Sequence, residues 1–369
     1  MTEENKSVKN FPNLRFKGFE GAWEVKKMGE IADIKTGNKD TQNKVDNGMY
    51  PFFVRSNTVE KINTYSYDGE AILTSGDGVG VGKNFHYVKG KFDFHQRVYS
   101  IRNFKKGYDG KYVYNIFSEK FYDRVIRLSA KNSVDSVRMN MISEMKISFP
   151  MFNEQLKIAS FLTMIRDRIQ TQKKIIEQFE TLMRANREKL FSQKLRFKDE
   201  QGNNFLSWER KKIKEILTIG SGKDYKHLND GAIPVYGTGG IITFVDSFLY
   251  DGETVCIGRK GTIDKPLYYN GKIWTVDTLF YTYSFNNSVP KFVFNIFQNI
   301  NWKEYNEASG VPSLSKNTIE KIEISIPCIE EQTKIANFLS LIQEKIETEK
   351  QILEKLELQK RFLLANLFV

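Results

Sequence analysis

One long amphipathic phrase occurs twice in this chain of 369 residues, and its repetition limits what the chain can become. Glu154-Gln155-Leu156-Lys157-Ile158-Ala159, followed by Phe161-Leu162, returns as Glu331-Gln332-Thr333-Lys334-Ile335-Ala336 with Phe338-Leu339, at a constant offset of 177 (Glu154 to Glu331). Beyond each start the apolar residues step alternately by four and three, the spacing of a helix packed along a seam. The first seam reads Ile158, Leu162, Ile165, Ile169, Gln172, Ile176, Phe179, Met183, Asn186 and Leu190. The second reads Ile335, Leu339, Ile342, Ile346, Glu349, Leu353, Leu356, Lys360, Leu363 and Leu367. Neither helix can bury such a stripe alone, so each is expected to bury it against the other.

The rest of the chain repeats as well. Leu14-Arg15-Phe16-Lys17, Trp23 and Lys26-Lys27-Met28-Gly29-Glu30-Ile31 return as Leu195-Arg196-Phe197-Lys198, Trp208 and Lys211-Lys212-Ile213-Lys214-Glu215-Ile216, with four extra residues in the second copy before the Trp. Gly37 pairs with Gly222, and Tyr67-Asp68-Gly69-Glu70 with Tyr250-Asp251-Gly252-Glu253. Repeats of this length are duplicated domains rather than solenoid units. Short apolar runs such as Ala71–Thr74 and Thr254–Ile257, flanked by Asp-Gly turns, read as strands. Tyr281–Phe285 alternates like a strand, and Lys291–Phe297 reads as helix. The expected fold is α+β: a flexible tail over 1–12, a strand-rich domain over 13–150, a long helix over 151–192, a second domain over 193–327 and a second long helix over 328–369. Because the second helix starts at the second domain, packing on the first makes the pair an antiparallel coiled coil with pseudo-two-fold symmetry. At about 1.5 Å per residue, roughly 35 residues span about 50 Å. That length makes the pair a candidate spacer, which a four-residue insertion after Gln172 would lengthen. The matching polar residues Gln172 and Glu349 are either tolerated in the seam or set its register.

Composition narrows the partner. A net charge of +11 favours a polyanion, most often nucleic acid. Two cysteines, Cys256 and Cys328, align with Leu73 and Met151 and are expected in buried apolar slots, consistent with a reducing cytoplasm and no disulfide framework. The opening Met1-Thr2-Glu3-Glu4-Asn5-Lys6 lacks an apolar signal region, and no apolar run reaches membrane-spanning length, so a soluble cytoplasmic protein is expected.

Phe149-Pro150, Glu154-Gln155 and Ile158-Ala159, with their twin Ile326-Pro327, Glu331-Gln332 and Ile335-Ala336, resemble the conserved-region signature of the specificity subunits of type I restriction-modification systems. The phrase from Trp23 to Ile31, the Gly258-Arg259-Lys260-Gly261-Thr262 turn, and Ser309-Gly310 before Pro312-Ser313-Leu314-Ser315 are similar to that family too. The resemblance spans nearly the whole chain. It implies two target-recognition domains, each reading one part of a split double-stranded DNA sequence. It also implies that the helix pair docks two methyltransferase subunits and, in the full complex, restriction (translocase) subunits. A coiled-coil scaffold without specific DNA reading, or a lone specificity subunit serving methylation only, are the alternatives.

The residues themselves offer no chemistry of their own. Gly76-Asp77-Gly78-Val79-Gly80-Val81-Gly82-Lys83 fails the Walker pattern, because Asp77 takes a glycine position and Asn84 follows the lysine. Val81 breaks the dinucleotide pattern. Asp135, Glu144 and Lys146 loosely resemble a nuclease set, but Lys321 and Glu323 reverse the last two in the second copy. His86, His95 and His227 have no metal-ligand spacing. The Pro-Pro of an amino-methyltransferase motif is missing. No catalytic residue, cofactor or metal is therefore expected, and the chain reads as a non-enzyme. DNA contacts are expected from corresponding loops: Arg55, Ser56, Asn57, Gly76, Asp77, Gly78, Gln96 and Arg97 in the first domain, and Tyr236, Gly237, Thr238, Gly239, Arg259 and Lys260 in the second. Arg pairs bidentately with guanine and Asn or Gln with adenine, while Lys and backbone amides hold phosphates. Each of these residues could equally be an ordinary surface turn. Lys157, Arg166, Lys174, Lys334 and Lys345 are expected on the solvated face of the helices.

Overall fold

The structure, a computed structural model, describes residues 11–78, 80–129 and 136–368. Most of the expected tail, and the positions of Val79 and Asp135, lie outside the described residues. The first copy runs β1 (Glu24–Lys27), α1 (Met28–Ile31), β2 (Asp33–Thr36), β3 (Tyr50–Phe53), β4 (Val59–Ile62), β5 (Tyr67–Ser75), β6 (Phe85–Phe94), β7 (Val98–Arg102), α2 (Gly110–Leu128), α3 (Met139–Ser143), β8 (Lys146–Phe149) and α4 (Phe152–Phe191). The second runs β9 (Glu209–Lys212), α5 (Ile213–Ile216), β10 (Thr218–Ser221), β11 (Asp230–Gly237), β12 (Gly240–Val245), β13 (Tyr250–Gly258), β14 (Leu267–Thr275), β15 (Leu279–Tyr283), α6 (Pro290–Asn299), α7 (Lys316–Lys321), β16 (Glu323–Ile326) and α8 (Ile329–Asn366).

The two sheets match strand for strand. One is ordered β2-β7-β5-β6-β3-β4 and the other β10-β15-β13-β14-β11-β12, while β1-β8 and β16-β9 form separate two-stranded ribbons. All pairings are antiparallel except β3 with β6 and β11 with β14, so each sheet is mixed. The repeated Tyr-Asp-Gly-Glu phrase has a mechanical meaning here. Gly69 faces Gly90 across the β5–β6 pair, and Gly252 faces Gly271 across β13–β14. All four have positive φ, and a Cβ on Gly69 would lie 2.9 Å from the Tyr67 hydroxyl, so the tyrosine ring folds over a residue that must be glycine. The glutamate that ends each phrase accepts a hydroxyl from the neighbouring strand, Tyr87 to Glu70 and Tyr268 to Glu253.

The remaining motifs are local caps. In Lys26–Ile31, the Lys27 backbone N–H donates to Glu30 Oε2 (2.8 Å), and Met28 and Ile31 are buried. Lys212 and Glu215 repeat the arrangement (2.5 Å). Asp109 caps α2 by accepting from the Tyr112 N–H (2.7 Å), and Pro290 opens α6 at its first position. The four extra residues of the second copy form a turn closed by Asn203 N–H on Asp199 Oδ1 (2.7 Å).

The chain divides into two compact units inside the long helices, one holding residues up to Gln172 together with Ile352–Val369, the other Lys173–Gln351. In the first core, Trp23, Met28, Ile72, Ile101, Tyr112, Phe117 and Phe121 pack with Ile158, Leu162, Ile165 and Ile169 from the start of α4 and with Leu356, Leu363, Leu367 and Phe368 from the end of α8. In the second, Ile213, Ile257, Phe292, Phe297 and Trp302 pack with Met183 and Leu190 from the end of α4 and Ile335, Leu339 and Ile346 from the start of α8. Each core thus joins the start of one long helix to the end of the other, the antiparallel packing of an α+β fold. Of the other seam positions, Gln172, Ile176 and Glu349 are buried, whereas Phe179, Ile342 and Leu353 are partly buried.

Two expectations need correction. Cys256 is buried, but Cys328 is exposed, as is its counterpart Met151 at 67%. Both stand just before a long helix begins, where the chain crosses the surface. Burial pushes the Cys256 thiol up to about 12. A thiol reagent at mildly alkaline pH should therefore modify one cysteine in the folded protein and two after unfolding. The helix cations are not a uniformly solvated face either. Lys157 lies over Phe16 (5.2 Å), Lys334 Nζ donates to Lys198 O (2.7 Å) beside Phe205, Lys345 pairs with Glu349 (2.7 Å), and Arg166 packs on Tyr114. Their long aliphatic stems cover apolar surface while the charged heads find partners. Lys174 is exposed.

Candidate nucleic-acid interface

In the first unit, three loops meet at one place. Arg55 follows β3, Asp77 follows β5, and Gln96-Arg97 form the turn between β6 and β7. Asp77 sits between the two arginines, with Arg55 Nη1 at 3.4 Å and Arg97 Nη1 at 3.3 Å. The loops are tied by backbone: Gly76 N–H donates to Arg97 O (2.7 Å) and Val137 N–H to Gly76 O (2.7 Å). Asn84 Nδ2 holds Arg55 O at 3.0 Å. Gln96 Nε2 donates to Asp40 Oδ2 (3.1 Å). His95 lies buried beneath, its Nδ1 accepting from the Arg97 N–H (2.9 Å), and its pKa is lowered by burial and then by the Arg55 charge. The floor is set by Gly37, where a Cβ would meet Phe94 O at 1.9 Å.

The guanidiniums of Arg55 and Arg97 remain exposed, and so do Ser56, Asn57, Gly78 and Gln96; Gly76 is buried. The result is a pair of cations aimed at solvent and steadied from below by one carboxylate. Gly78, Gly80 and Gly82 all have positive φ, so the glycine-rich run is a series of tight turns, and Lys83 at its end covers the Tyr122 ring (4.3 Å). Glu144 pairs with Lys27 (2.6 Å).

The second unit builds the equivalent place from other residues. Tyr236 and Gly237 end β11, and Thr238-Gly239 make the turn into β12. Arg259 and Lys260 follow β13, their N–H groups directed to Thr278 O (2.7 and 3.3 Å). Arg259 Nη1 donates to Asp277 O (3.4 Å), and Gly261 approaches Thr238. Gly222 repeats the floor, its Cβ position 2.0 Å from Val276 O. Arg259, Lys260 and Lys316 border a cleft of about 340 Å³ with Ser313, Ser315 and Glu307. Ser315 and Thr318 donate to Glu307, and the Thr318 hydroxyl foremost holds its carboxyl below the usual range. Gly239, Arg259 and Lys260 are exposed, Tyr236 and Thr238 half-buried, and Gly237 buried; the Tyr236 ring lies 5.5 Å from Tyr269.

Sequence reasoning missed Asp40, His95, Asp277-Thr278 and Lys316. The repeat offset could have found Asp277-Thr278, since Val98 and Leu279 open matching strands β7 and β15 and each pair of residues precedes its strand. Asp40 and Lys316 carry no local signal. Among the described residues, no three His, Cys, Asp or Glu gather as metal ligands, and no helix is long and apolar enough to cross a membrane.

The signature at the helix starts is a clamp. Glu154 and Glu331, 1% and 0% exposed, each accept a bidentate arginine: Arg15 at 2.8 and 2.7 Å, Arg196 at 3.1 and 2.7 Å. Trp208 Nε1 adds a third donor to Glu331 (3.1 Å), whereas the buried Trp23 Nε1 has no partner. Gln155 Oε1 accepts from the Asp109 N–H, and its Nε2 donates to Gly107 O and Pro150 O. Gln332 does the same with Val289, Asn287 and Pro327. Three segments of the first unit and four of the second are thereby fixed to the first turn of the long helix.

The family described as "Type I restriction modification DNA specificity domain" matches residues 20–181 and 206–358, more than half of the chain. The chain is 24% identical to the Type I restriction enzyme EcoDI specificity subunit of Escherichia coli over 166 residues, covering 45% of this chain but only 36% of that protein. It is also 24% identical over 331 residues to a protein named as a type I specificity subunit in Mycoplasma pneumoniae, covering 84% and 86% of the two chains. The crystal structure of a type I restriction-modification S subunit from M. genitalium superposes with a TM-score of 0.73 at 20% identity, covering 97% and 99% of the two chains. A chain solved in work on complex assembly and conformational transition of the type I R-M system superposes at 0.54 with 12% identity, covering 94% and 97%.

Proposed function

The chain belongs to the type I restriction-modification DNA specificity family, and on that premise we propose that it reads a split, asymmetric site on double-stranded DNA, one half with each unit. The family is the non-catalytic member of type I systems, so methyl transfer and cleavage would reside in partner subunits. The observation that carries the reading is the pair of equivalent but unlike loop clusters. Arg55, Asp77 and Arg97 correspond to Thr238, Lys260 and Thr278 of the second unit, where Arg259 stands at the place of Gly76. Equivalent placement supports one docking mode for both units, and different side chains support different base sequences.

Two methyltransferase subunits would dock on the long helices, with restriction subunits joining the full complex. Met164 and Leu341, 59% and 65% exposed, stand at matching positions, and so do the exposed Phe152 and Ile329. A repeated exposed apolar pair on a repeated helix supports two docking surfaces of one kind. The test replaces residues 205–325 with those of a relative, assembles the protein with its methyltransferase, and maps methylated genomic DNA by single-molecule sequencing. One half-site should change while the other and the spacer stay as they were. A change in both halves, or methylation indifferent to the swap, refutes the reading.

A further inference from the structure

The two units fill one corresponding position in different ways. In the first, the Arg166 guanidinium lies 4.8 Å over the Tyr114 ring and donates to Asn115 Oδ1. The matching residues of the second unit are Gln343, Phe294 and Asn295. Asn295 Nδ2 donates to Lys291 O (2.8 Å), just as Asn115 Nδ2 donates to Lys111 O (2.9 Å). Gln343, however, turns along α8 and donates to Glu347 (3.0 Å). Residues that hold Arg166 in the first unit thus correspond to wall residues of a cavity in the second. It measures about 180 Å³ and lies among α4, α6, β14 and α8, with Phe294, Asn295, Leu339 and Gln343 in its wall.

Arg187, on α4, also lines this cavity, at a position where α8 carries the buried Leu364 in the first unit. Its Nε is buried without a hydrogen-bond partner, and burial lowers its pKa. A buried donor on a cation is costly to leave unmet, and a carboxylate meets it with a charge-assisted pair. Lys291 supplies a second cation to the wall, and Glu344, the one acidic residue there, is exposed. Met183, Leu339 and Phe294 make much of the remaining wall apolar. At roughly 30 Å³ for each water-sized group, the volume suits about six non-hydrogen atoms.

We propose that this cavity binds a small free carboxylate with a short apolar tail, its carboxylate on Arg187 and its tail against Phe294, Leu339 and Met183. The proposal is independent of DNA reading. Saturation-transfer NMR on the full chain, with butyrate as the probe, should detect binding on the order of millimolar affinity, as expected for so few atoms. Butylamine, with the same four-carbon skeleton and the opposite charge, should give no transfer. Arg187→Leu and Gln343→Arg each install the residue that the first unit carries at that position, so both substitutions are precedented in the fold. Each should weaken butyrate binding at least tenfold. Equal transfer from butylamine, or undiminished binding in both variants, overturns the proposal. Exclusion of butyrate once the methyltransferase is bound also overturns it, because the cavity then belongs to a carboxylate of the partner.

Discussion

Glu331→Ala should lower the unfolding free energy by about 3–5 kcal/mol, the typical cost of removing one partner from a buried ion pair. The carboxylate is fully buried and accepts from Nε and Nη2 of Arg196 and from the indole N–H of Trp208. Its loss strands a guanidinium whose side chain is only 24% exposed, together with a tryptophan donor. Glu154→Ala should cost less, because Trp23 Nε1 does not donate to Glu154 and so one fewer donor is orphaned. Replacing both members of the second pair, Arg196→Met with Glu331→Leu, should recover part of the loss, since no charge is then left alone. Denaturant midpoints of the four proteins, followed by circular dichroism, check the ranking. Equal effects for Glu154→Ala and Glu331→Ala would remove the role assigned to Trp208.

The second large effect concerns DNA. Arg97→Ala should weaken binding of the assembled complex to its cognate site by about 1–3 kcal/mol, the worth of one bidentate pairing with a base. That is roughly fivefold to 150-fold, and the relaxed positions should all fall in one half-site. Arg97 is held from its backbone by His95 and Gly76 and from its guanidinium by Asp77, so its exposed fork arrives already oriented. Lys260→Ala should behave differently. Removing an ammonium that neutralises a phosphate weakens binding to all sequences alike and reduces the slope of log K against log salt by about 0.9. Fluorescence anisotropy on a panel of duplexes at several salt concentrations separates the two. If Arg97→Ala loses affinity equally on every duplex, it holds phosphate and reads no base.

The fold was legible in the sequence wherever the signal was local or repeated. The four-three stepping of Ile158 to Leu190 follows from the helical period alone, and the echo at Ile335 needs no tertiary knowledge. The Tyr-Asp-Gly-Glu phrase was legible as a repeat, but its Asp-Gly reads as a turn and lies instead inside β5 and β13, because a glycine beneath a tyrosine ring is a matter of cross-strand geometry. The clusters of loops were only half legible. Arg55, Asp77 and Arg97 could be nominated by residue type, but Asp40 and Lys316 come to the sites through the topology of sheets whose neighbours are far apart in sequence. Cys328 was misplaced because its apolar alignment partner, Met151, is itself exposed.

The sequence by itself determined that there are two copies of one unit, that each ends in a long seam-bearing helix, and that no familiar catalytic motif is complete. Periodicity and repetition are properties of neighbouring residues, and they survive in one dimension. Tertiary structure decided which residues act together. Arg15 meets Glu154 across 139 positions, and Arg196 meets Glu331 across 135. The same packing gave one arginine to α4 beside Asn115 and another to the matching cavity wall from the far end of that helix. Buried charges and cavities arise only where distant segments exclude water together, so no reading along the chain could have assigned them.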